Sequence, residues 1–125
     1  MGYQQSSGTE TVIRNSYSMA SATNTSSTES DGCGGLVGEL YGYNNSAARI
    51  FSSYAAGKVT KTGTTGVGGL VGYSHVGSDS SHSNGTYAIV ASYYCSSTTK
   101  QVDECRGFAA TSAEMKKQNT YANWD

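Results

Sequence analysis

The sequence predicts an all-β fold, a parallel β-helix (β-solenoid) of about six coils with a short helical cap at its C-terminal end. Two short apolar phrases lead to this prediction. Gly-Gly-Leu-Val-Gly occurs at 34–38 and again at 68–72, and Ile-x-x-Ser-Tyr occurs at 13–17, 50–54 and 89–93. Such alternating repeats are typical of proteins in which each repeat contacts only its neighbours.

The number of coils follows from the spacing of the apolar anchors. Successive anchors are on average 19 residues apart, which is about one coil of a β-solenoid. Tyr17 and Tyr54 are 37 residues apart, and Tyr54 and Tyr93 are 39 apart, so each full repeat would contribute two coils. The anchors are Ile13, Leu36, Ile50, Leu70, Ile89 and Phe108.

Each phrase has a physical role in such a fold. In Ile-x-x-Ser-Tyr, strand alternation places Ile inside, Ser on the opposite face and Tyr at the strand end, where its ring stacks on the next repeat. The Gly-Gly pair before Leu-Val allows a sharp corner with positive φ. The positions expected to carry the architecture are Ile13, Tyr17, Gly35, Leu36, Gly38, Ile50, Tyr54, Gly69, Leu70, Gly72, Ile89 and Tyr93.

The repeats define the expected organisation of the chain. Residues 1–11 are an edge segment, 12–110 are β-solenoid and 111–125 are a capping segment. Within the solenoid, the repeats span 12–48, 49–88 and 89–110. Thr111-Ser112-Ala113-Glu114 is a capping-box pattern that predicts a short helix over Ser112–Gln118.

Composition excludes several classes of function. With 125 residues, a net charge of -1 and 14% charged residues, the chain lacks the basic surface that nucleic-acid binding requires. No apolar run approaches the roughly 20 residues that span a bilayer. The N-terminus has no signal-peptide pattern, and the abrupt end at Trp124-Asp125 suggests a piece of a longer protein.

The three cysteines show no CxxC pair and no zinc spacing. Cys95 and Cys105 are close enough in sequence to close a short loop as a disulfide. Buried thiols that act as small apolar groups are the alternative, and the sequence leaves both open.

Several segments resemble the GLUG-motif repeat of large bacterial surface and secreted proteins. That pattern runs Asn-Ser-Tyr-Ala-x-Gly-x-Val, a short loop, then Val-Gly-Gly-Leu-Val-Gly-Tyr, and residues 53–59 and 67–73 match it closely. Residues 92–94, 111–116 and 124–125 are similar to the end of such arrays, while Cys33 stands where the pattern has Val. The resemblance implies a β-solenoid at the bacterial surface or outside the cell, without established catalytic residues.

No residue pattern indicates an enzyme, a metal site or a cofactor. Catalytic carboxylates of a β-helix would line one face on adjacent coils, but neither Glu29/Asp31 nor Asp103/Glu104 recurs at the coil period. His75, Asp79 and His82 share one Ser-rich loop, where solvated side chains are expected rather than a metal centre. We therefore predict a non-enzymatic protein with no metal and no cofactor.

Irregularly spaced tyrosines are the candidate binding residues. Aromatic rings on a rigid face suit stacking on sugars or contact with a protein, although core or ladder positions are the alternative. The function expected is a repeat module that forms a rigid stalk, with an adhesive face for a glycan or a host or cell-surface protein. A glycan-binding or glycan-cleaving β-helix is the alternative. The candidate binding residues are Tyr41, Tyr43, Tyr73, Tyr87 and Tyr94.

Overall fold

The computed structural model describes residues 2–7, 9–99 and 107–124, and places many of them in short β-strands. All strand pairs in these residues are parallel. The helices described here are short, with at most four residues each. A mostly β architecture with parallel sheets is therefore confirmed.

The strands form three consecutive sets with the same order along the chain. The first set contains β1 (Tyr3–Ser7), β2 (Glu10–Arg14), β3 (Tyr17–Ser18), β4 (Ala22–Asn24) and β5 (Cys33–Gly34). The second set contains β6 (Val37–Tyr43), β7 (Ala47–Phe51), β8 (Tyr54–Ala55), β9 (Val59–Lys61) and β10 (Val67–Gly68). The third set contains β11 (Val71–Gly77), β12 (Thr86–Val90) and β13 (Tyr93–Cys95).

Each strand pairs with the strand that has the same place in the neighbouring set. The five sheets have the orders β1-β6-β11, β2-β7-β12, β3-β8-β13-β14, β4-β9 and β5-β10. Ile50 lies beside Ile13 and Ile89, and Tyr54 lies beside Tyr17 in the same way. Equivalent phrases of the sequence therefore stand side by side.

The predicted stacking interval was wrong. Paired residues of these sets are 34 to 39 positions apart, as for Val37 with Val71 and Tyr54 with Tyr93, instead of about 19. The two kinds of phrase lie in different sheets of one set, because strand bends and side-chain rows coincide only between equivalent phrases. The described residues thus contain three strand sets, not six coils.

An apolar cluster fills the space between the sheets. Leu40, Ile50 and Leu70 are fully buried within it, and Ile89 packs against it while partly exposed. Burying a Leu or Ile side chain contributes roughly 1.5–3 kcal/mol, so these rows stabilise contacts between sets. The buried members are Ile13, Leu36, Val37, Leu40, Ala48, Ile50, Ala55, Leu70, Val71 and Tyr94.

The repeated Gly-Gly pairs serve close approach, not positive φ. Among the described glycines, positive φ occurs at Gly66 and Gly107, outside these pairs. A Cβ on Gly35 would lie 2.3 Å from the carbonyl oxygen of Gly69, and one on Gly69 would lie 2.1 Å from the Tyr94 ring. Gly69 therefore leaves the space into which Tyr94 inserts.

Positive φ occurs instead at the third position of Ile-x-x-Ser-Tyr. Asn15, Ser52 and Ala91 have φ values of 50°, 45° and 45°, although none is glycine. This left-handed residue breaks the strand alternation, so the following serine turns inward. The expectation that this serine faces away from the core was therefore wrong, since Ser53 and Ser92 are fully buried.

The inward serines form a hydrogen-bonded row across the sets, here called the serine row (Ser16, Ser53 and Ser92). The backbone N–H of Ser16 donates to Ser53 Oγ, and that of Ser53 donates to Ser92 Oγ, each at 3.2 Å. Each hydroxyl in turn donates to the carbonyl two residues before it, at 2.7 to 2.9 Å. Buried hydroxyl groups in the row are thereby satisfied.

Beyond the third set, the chain departs from the repeat. Helix α1 (Ser96–Thr99), which the sequence analysis did not predict, follows β13 directly. Strand β14 (Phe108–Ala110) then pairs with β13, with Phe108 beside Tyr93. Phe108 is therefore not equivalent to the anchors Leu36 and Leu70, although its spacing fitted the anchor series. The bond from its N–H to the carbonyl of Ser92 places it in the β3-β8-β13-β14 sheet.

Residues 111–124, here called the C-terminal segment, form two 3-10 helices, Glu114–Lys116 and Gln118–Tyr121. The predicted capping box is present, because Glu114 accepts from the N–H and hydroxyl of Thr111, and Thr111 accepts from the N–H of Glu114. The predicted continuous helix over 112–118 is absent. Lys117 adopts an extended conformation and separates the two turns.

Candidate functional site

The five candidate binding tyrosines do not form one site. Tyr41, Tyr43 and Tyr73 lie half-buried on the outer face of β6 and β11, whereas Tyr87 lies on β12 in another sheet and is 41% exposed. Tyr94 is only 2% exposed. The prediction that Tyr94 is a surface residue was wrong, because its ring enters the space over Gly69 and joins the core.

The outer face of β6 and β11 carries an interlocked group of rings. Tyr41 stacks on His75, with ring centroids 3.9 Å apart and planes 6° apart. The Tyr73 ring lies 5.0 Å from that of His75, and the Tyr43 ring lies 5.5 Å from that of Tyr41. His75 Nε2 is 2.6 Å from Glu39 Oε1. Loss of solvent raises the pKa of Tyr41, with further contributions from Tyr43 and Glu39. One face of the Tyr41 ring is therefore covered by His75.

The loop after β11 is held by hydrogen bonds within it and by bonds to Asn44, which follows β6. Asp79 is 2.6 Å from His82 Nδ1, and Asn44 both donates to Asp79 and accepts from its backbone N–H. The bond to His82 lowers the pKa of Asp79 most, followed by bonds from Ser81 and then Asn44. The described residues contain no group of three or more His, Cys, Asp and Glu side chains placed to hold a metal ion.

Three of the described carboxylates have hydrogen-bonding or basic partners. Glu10 pairs with Arg49 at 3.0 Å, Asp31 accepts from Ser26 at 2.6 Å, and Glu114 belongs to the capping box. Asp103 and Glu104, considered as an acid pair, lie outside the described residues. That the protein is not an enzyme stays a prediction.

The two described cysteines have different environments. Cys33 is buried beside Val67, in the place where the repeat pattern has Val, and burial raises the pKa of its thiol. Burial also acts to raise the pKa of Cys95, but hydrogen bonds from Ser112 and Thr98 outweigh it and lower the pKa below its ordinary value. Cys105 lies outside the described residues, so the proposed disulfide with Cys95 is not tested.

The C-terminal segment packs against two members of the tyrosine row (Tyr17, Tyr54 and Tyr93, at the ends of the Ile-x-x-Ser-Tyr phrases). It contacts Tyr54 and Tyr93, whereas Tyr17 is 67% exposed. Tyr54 stacks on Tyr17 at 5.4 Å and 14°, as predicted for a ladder. On the other side, Trp124 and Tyr121 lie 6.2 and 6.4 Å from Tyr54. Tyr121 also meets Tyr93 edge-on at 5.7 Å. The predicted end cap is instead a segment laid along the side of the strand sets.

Polar contacts fix the C-terminal segment in this position. Trp124 Nε1 donates to the carbonyl of Ala91 at 2.7 Å, at the left-handed bend of the third set. Tyr121 donates to the carbonyl of Met115 at 2.8 Å, and burial raises the pKa of its hydroxyl. The bond from Trp124 joins the segment to the third set, and the bond from Tyr121 lies within the segment and links its two turns.

Between this segment and the strand sets lies a cavity of about 530 Å³, here called the C-terminal groove. Its walls are Met19 and Tyr54 on one side and Met115, Tyr121 and Trp124 on the other, and Lys116 stands at its rim. Thr98, Ser112 and Cys95 also line it, but their polar atoms already bond to protein groups. The unoccupied space is therefore mainly apolar and aromatic.

This groove was not predicted from the sequence. Tyr121 and Trp124 were expected only as part of the capping segment 111–125, and Met19 and Met115 had no predicted role. A weak signal was present, because both methionines after Met1 and the chain's sole tryptophan belong to it. None of these residues recurs in the repeat, so the repeat pattern did not bring them together.

Comparisons with known proteins give one informative match. No protein-family model matches the chain, and no solved structure matches it. A protein of Evansella cellulosilytica named "Putative Gly-rich membrane protein" is 36% identical to it over 115 residues. That alignment covers 90% of this chain but 12% of the relative, so the chain spans only a small part of the relative's length.

In the described part of the chain, no helix has the length and apolar character needed to cross a bilayer.

Proposed function

We propose that the chain is a β-solenoid module of the GLUG-motif kind, and that it acts as a rigid, non-enzymatic spacer in a bacterial surface or secreted protein. The observation that carries the proposal is the pairing of equivalent phrases in register across all three strand sets. Repeats that contact only their neighbours build elongated bodies whose length grows with repeat number.

Two further observations support the module interpretation. The chain aligns with 12% of the length of its Gly-rich relative, so a similar sequence occurs there as one part of a much longer protein. That relative's name places it at a membrane, which favours a location at the cell envelope for the parent of this chain. Short hydroxyl-rich turns between strands suit a surface that is exposed to water.

A tandem insertion tests the solenoid proposal. One complete strand set, residues 37–70, would be duplicated directly after residue 70, so that β6–β10 are followed by an identical set. The stack should lengthen by about 4.8 Å in small-angle X-ray scattering, and the melting temperature should rise because one more interface between sets is added.

The control is an insertion of the same 34 residues in shuffled order. It should neither lengthen the rigid body nor raise the melting temperature. If the duplicated set melted separately from the rest, or if both insertions behaved alike, the spacer proposal would fail.

The adhesive role proposed for the outer face of β6 and β11 has its own test. A glycan array probed with the chain, and then with a Tyr41→Ser, Tyr73→Ser variant, would show whether these half-buried rings contribute to binding. Loss of a reproducible signal in the variant would support adhesion. A folded protein that binds no glycan would leave the spacer role alone.

The location is tested separately from the architecture. An antibody raised against this module should label intact cells that produce the parent protein, without permeabilisation. Labelling that requires permeabilised cells would contradict a surface position.

A further inference from the structure

We propose that the C-terminal groove binds a small amphipathic carboxylate, with the alkyl chain between the two walls and the carboxylate at Lys116. This proposal does not depend on the spacer function. It follows from the shape, chemistry and charge of one cavity.

The size of the groove suits a small ligand. Its volume of about 530 Å³ lies within the range of about 300–1,000 Å³ that is usual for small-molecule sites. The groove lies between residues of the strand sets and residues of the C-terminal segment, so a ligand within it would contact both.

The walls suit an apolar chain. Methionine stands on both sides, Met19 on the strand sets and Met115 on the C-terminal segment, and flexible thioether side chains adapt to irregular apolar ligands. Tyr54, Tyr121 and Trp124 add aromatic surface. Met19 is 62% exposed, so its side chain is free to adjust to a ligand that enters the groove.

The polar atoms of the groove leave little for a sugar or another polyol. Thr98 Oγ1 donates to the carbonyl of Ala56, and Ser112 Oγ is 3.3 Å from the Cys95 sulfur. The Trp124 and Tyr121 donors bond to backbone carbonyls. A ligand with many hydroxyls would lose hydration without gaining partners, which is costly.

Charge at the rim selects an anionic head. Lys116 is exposed and is the charged residue among those that line the groove. The nearby carboxylate of Glu114 is turned to Thr111, whose backbone N–H lowers the pKa of Glu114 most. Among the described residues that line the groove, Lys116 therefore carries the one charge that an anionic head would meet.

The first test uses decanoate, below the concentration at which it forms micelles, and the fluorescence of Trp124, the only tryptophan. The emission should shift to shorter wavelength and saturate. Octanoate should bind about 15-fold more weakly, since each buried methylene contributes about 0.8 kcal/mol. A second readout is the NMR spectrum of methionine methyl groups, in which those of Met19 and Met115 should move and that of Met1 should not.

Two variants test the contact with the carboxylate and the contact with the alkyl chain of the ligand separately. Lys116→Gln should weaken decanoate binding by about 1.5- to 5-fold, the usual range for an exposed ion pair, and leave decanol binding unchanged. Lys117→Gln is the matched control, because it removes the same charge from the adjacent residue, which does not line the groove. Met19→Ser should weaken both probes, and its exposure makes loss of folding unexpected.

Several results would overturn the proposal. These are an absence of saturable change in both Trp124 emission and the methionine methyl signals, equal affinity for octanoate and decanoate, or tighter binding of decyltrimethylammonium than of decanoate. Equal effects of the Lys116 and Lys117 variants would likewise exclude a specific head-group contact.

Discussion

The interior of the strand sets and the C-terminal segment are held together in contrasting ways. In the interior, the contacts of one set are repeated by the next, as in the serine row and the Ile13-Ile50-Ile89 row. In the C-terminal segment, each contact occurs once, such as the bond from Trp124 to Ala91. The repeated contacts pack the strand sets closely against one another. The single contacts of the C-terminal segment leave an apolar groove between this segment and the strand sets.

If the interior rows carry most of the stability, Leu70→Ala should have the largest effect. Leu70 is fully buried in the apolar cluster, and removal of such a side chain typically costs about 2–5 kcal/mol of unfolding free energy. Urea unfolding followed by circular dichroism measures this loss. Val76→Ala on the exposed side of β11 is the control, with an expected change within about 0.5 kcal/mol. Similar losses in both variants would contradict a core centred on Leu70.

A substitution in the serine row should cause the next largest loss of unfolding free energy. Ser92→Ala removes the acceptor of the buried Ser53 N–H, and a buried donor left unsatisfied costs about 1–3 kcal/mol. Ser16→Ala should cost less, because no N–H among the described residues donates to the Ser16 hydroxyl. Equal losses of unfolding free energy in urea would show that the row does not act as a chain of inter-set bonds.

A substitution at the left-handed bend of Ala91 should change the free energy of unfolding by a smaller amount and in the opposite direction. Ala91 has φ of 45°, which strains a residue with a Cβ, so Ala91→Gly should increase the free energy of unfolding by about 0.5–1 kcal/mol. Ala88→Gly, within the neighbouring strand β12, should instead decrease it by a similar amount. Thermal unfolding of the two variants distinguishes the signs. A loss at both positions would mean that the bend carries no strain.

The smallest effect concerns the loop that contains Asp79. The pKa of Asp79 is lower in the folded chain than in the unfolded chain. The stabilising contribution of this carboxylate is therefore complete above the ordinary pKa of about 3.9 and is lost as the pH falls through the pKa of the folded state. The Ser81 amide should stay protected from exchange near pH 4 and lose protection in stronger acid. Ser81→Ala should raise the pKa of Asp79, as read from its side-chain carbon signal by NMR. Titration of wild-type Asp79 at its ordinary value would contradict the loop geometry.

Much of the interior could be predicted from the sequence, because its rows repeat. Recurrence of Ile and Tyr indicated parallel strands and the stacking of Tyr17 on Tyr54. The stacking interval was misjudged because the two phrases are nearly equally spaced, and spacing alone does not say which phrases pair. The serine orientation was misjudged because three different residues, Asn15, Ser52 and Ala91, share one left-handed conformation.

The candidate site was largely hidden from sequence analysis. Tyr94 was expected at the surface because a tyrosine tolerates either environment, and only the missing side chain of Gly69 explains its burial. Met19 and Trp124 are 105 positions apart in sequence, and both line the groove because the C-terminal segment lies along the tyrosine row. That placement depends on a few individual hydrogen bonds, which composition and periodicity do not record.

The interval of 34 to 39 residues between paired strands also sets how the protein would yield to mechanical force. The strand sets are joined in series, so tension on the two ends would peel them away one after another. Each released set would lengthen the chain by about 120 Å, at roughly 3.4 Å per extended residue. A protein built in this way would lengthen in regular steps under load and absorb work at each step.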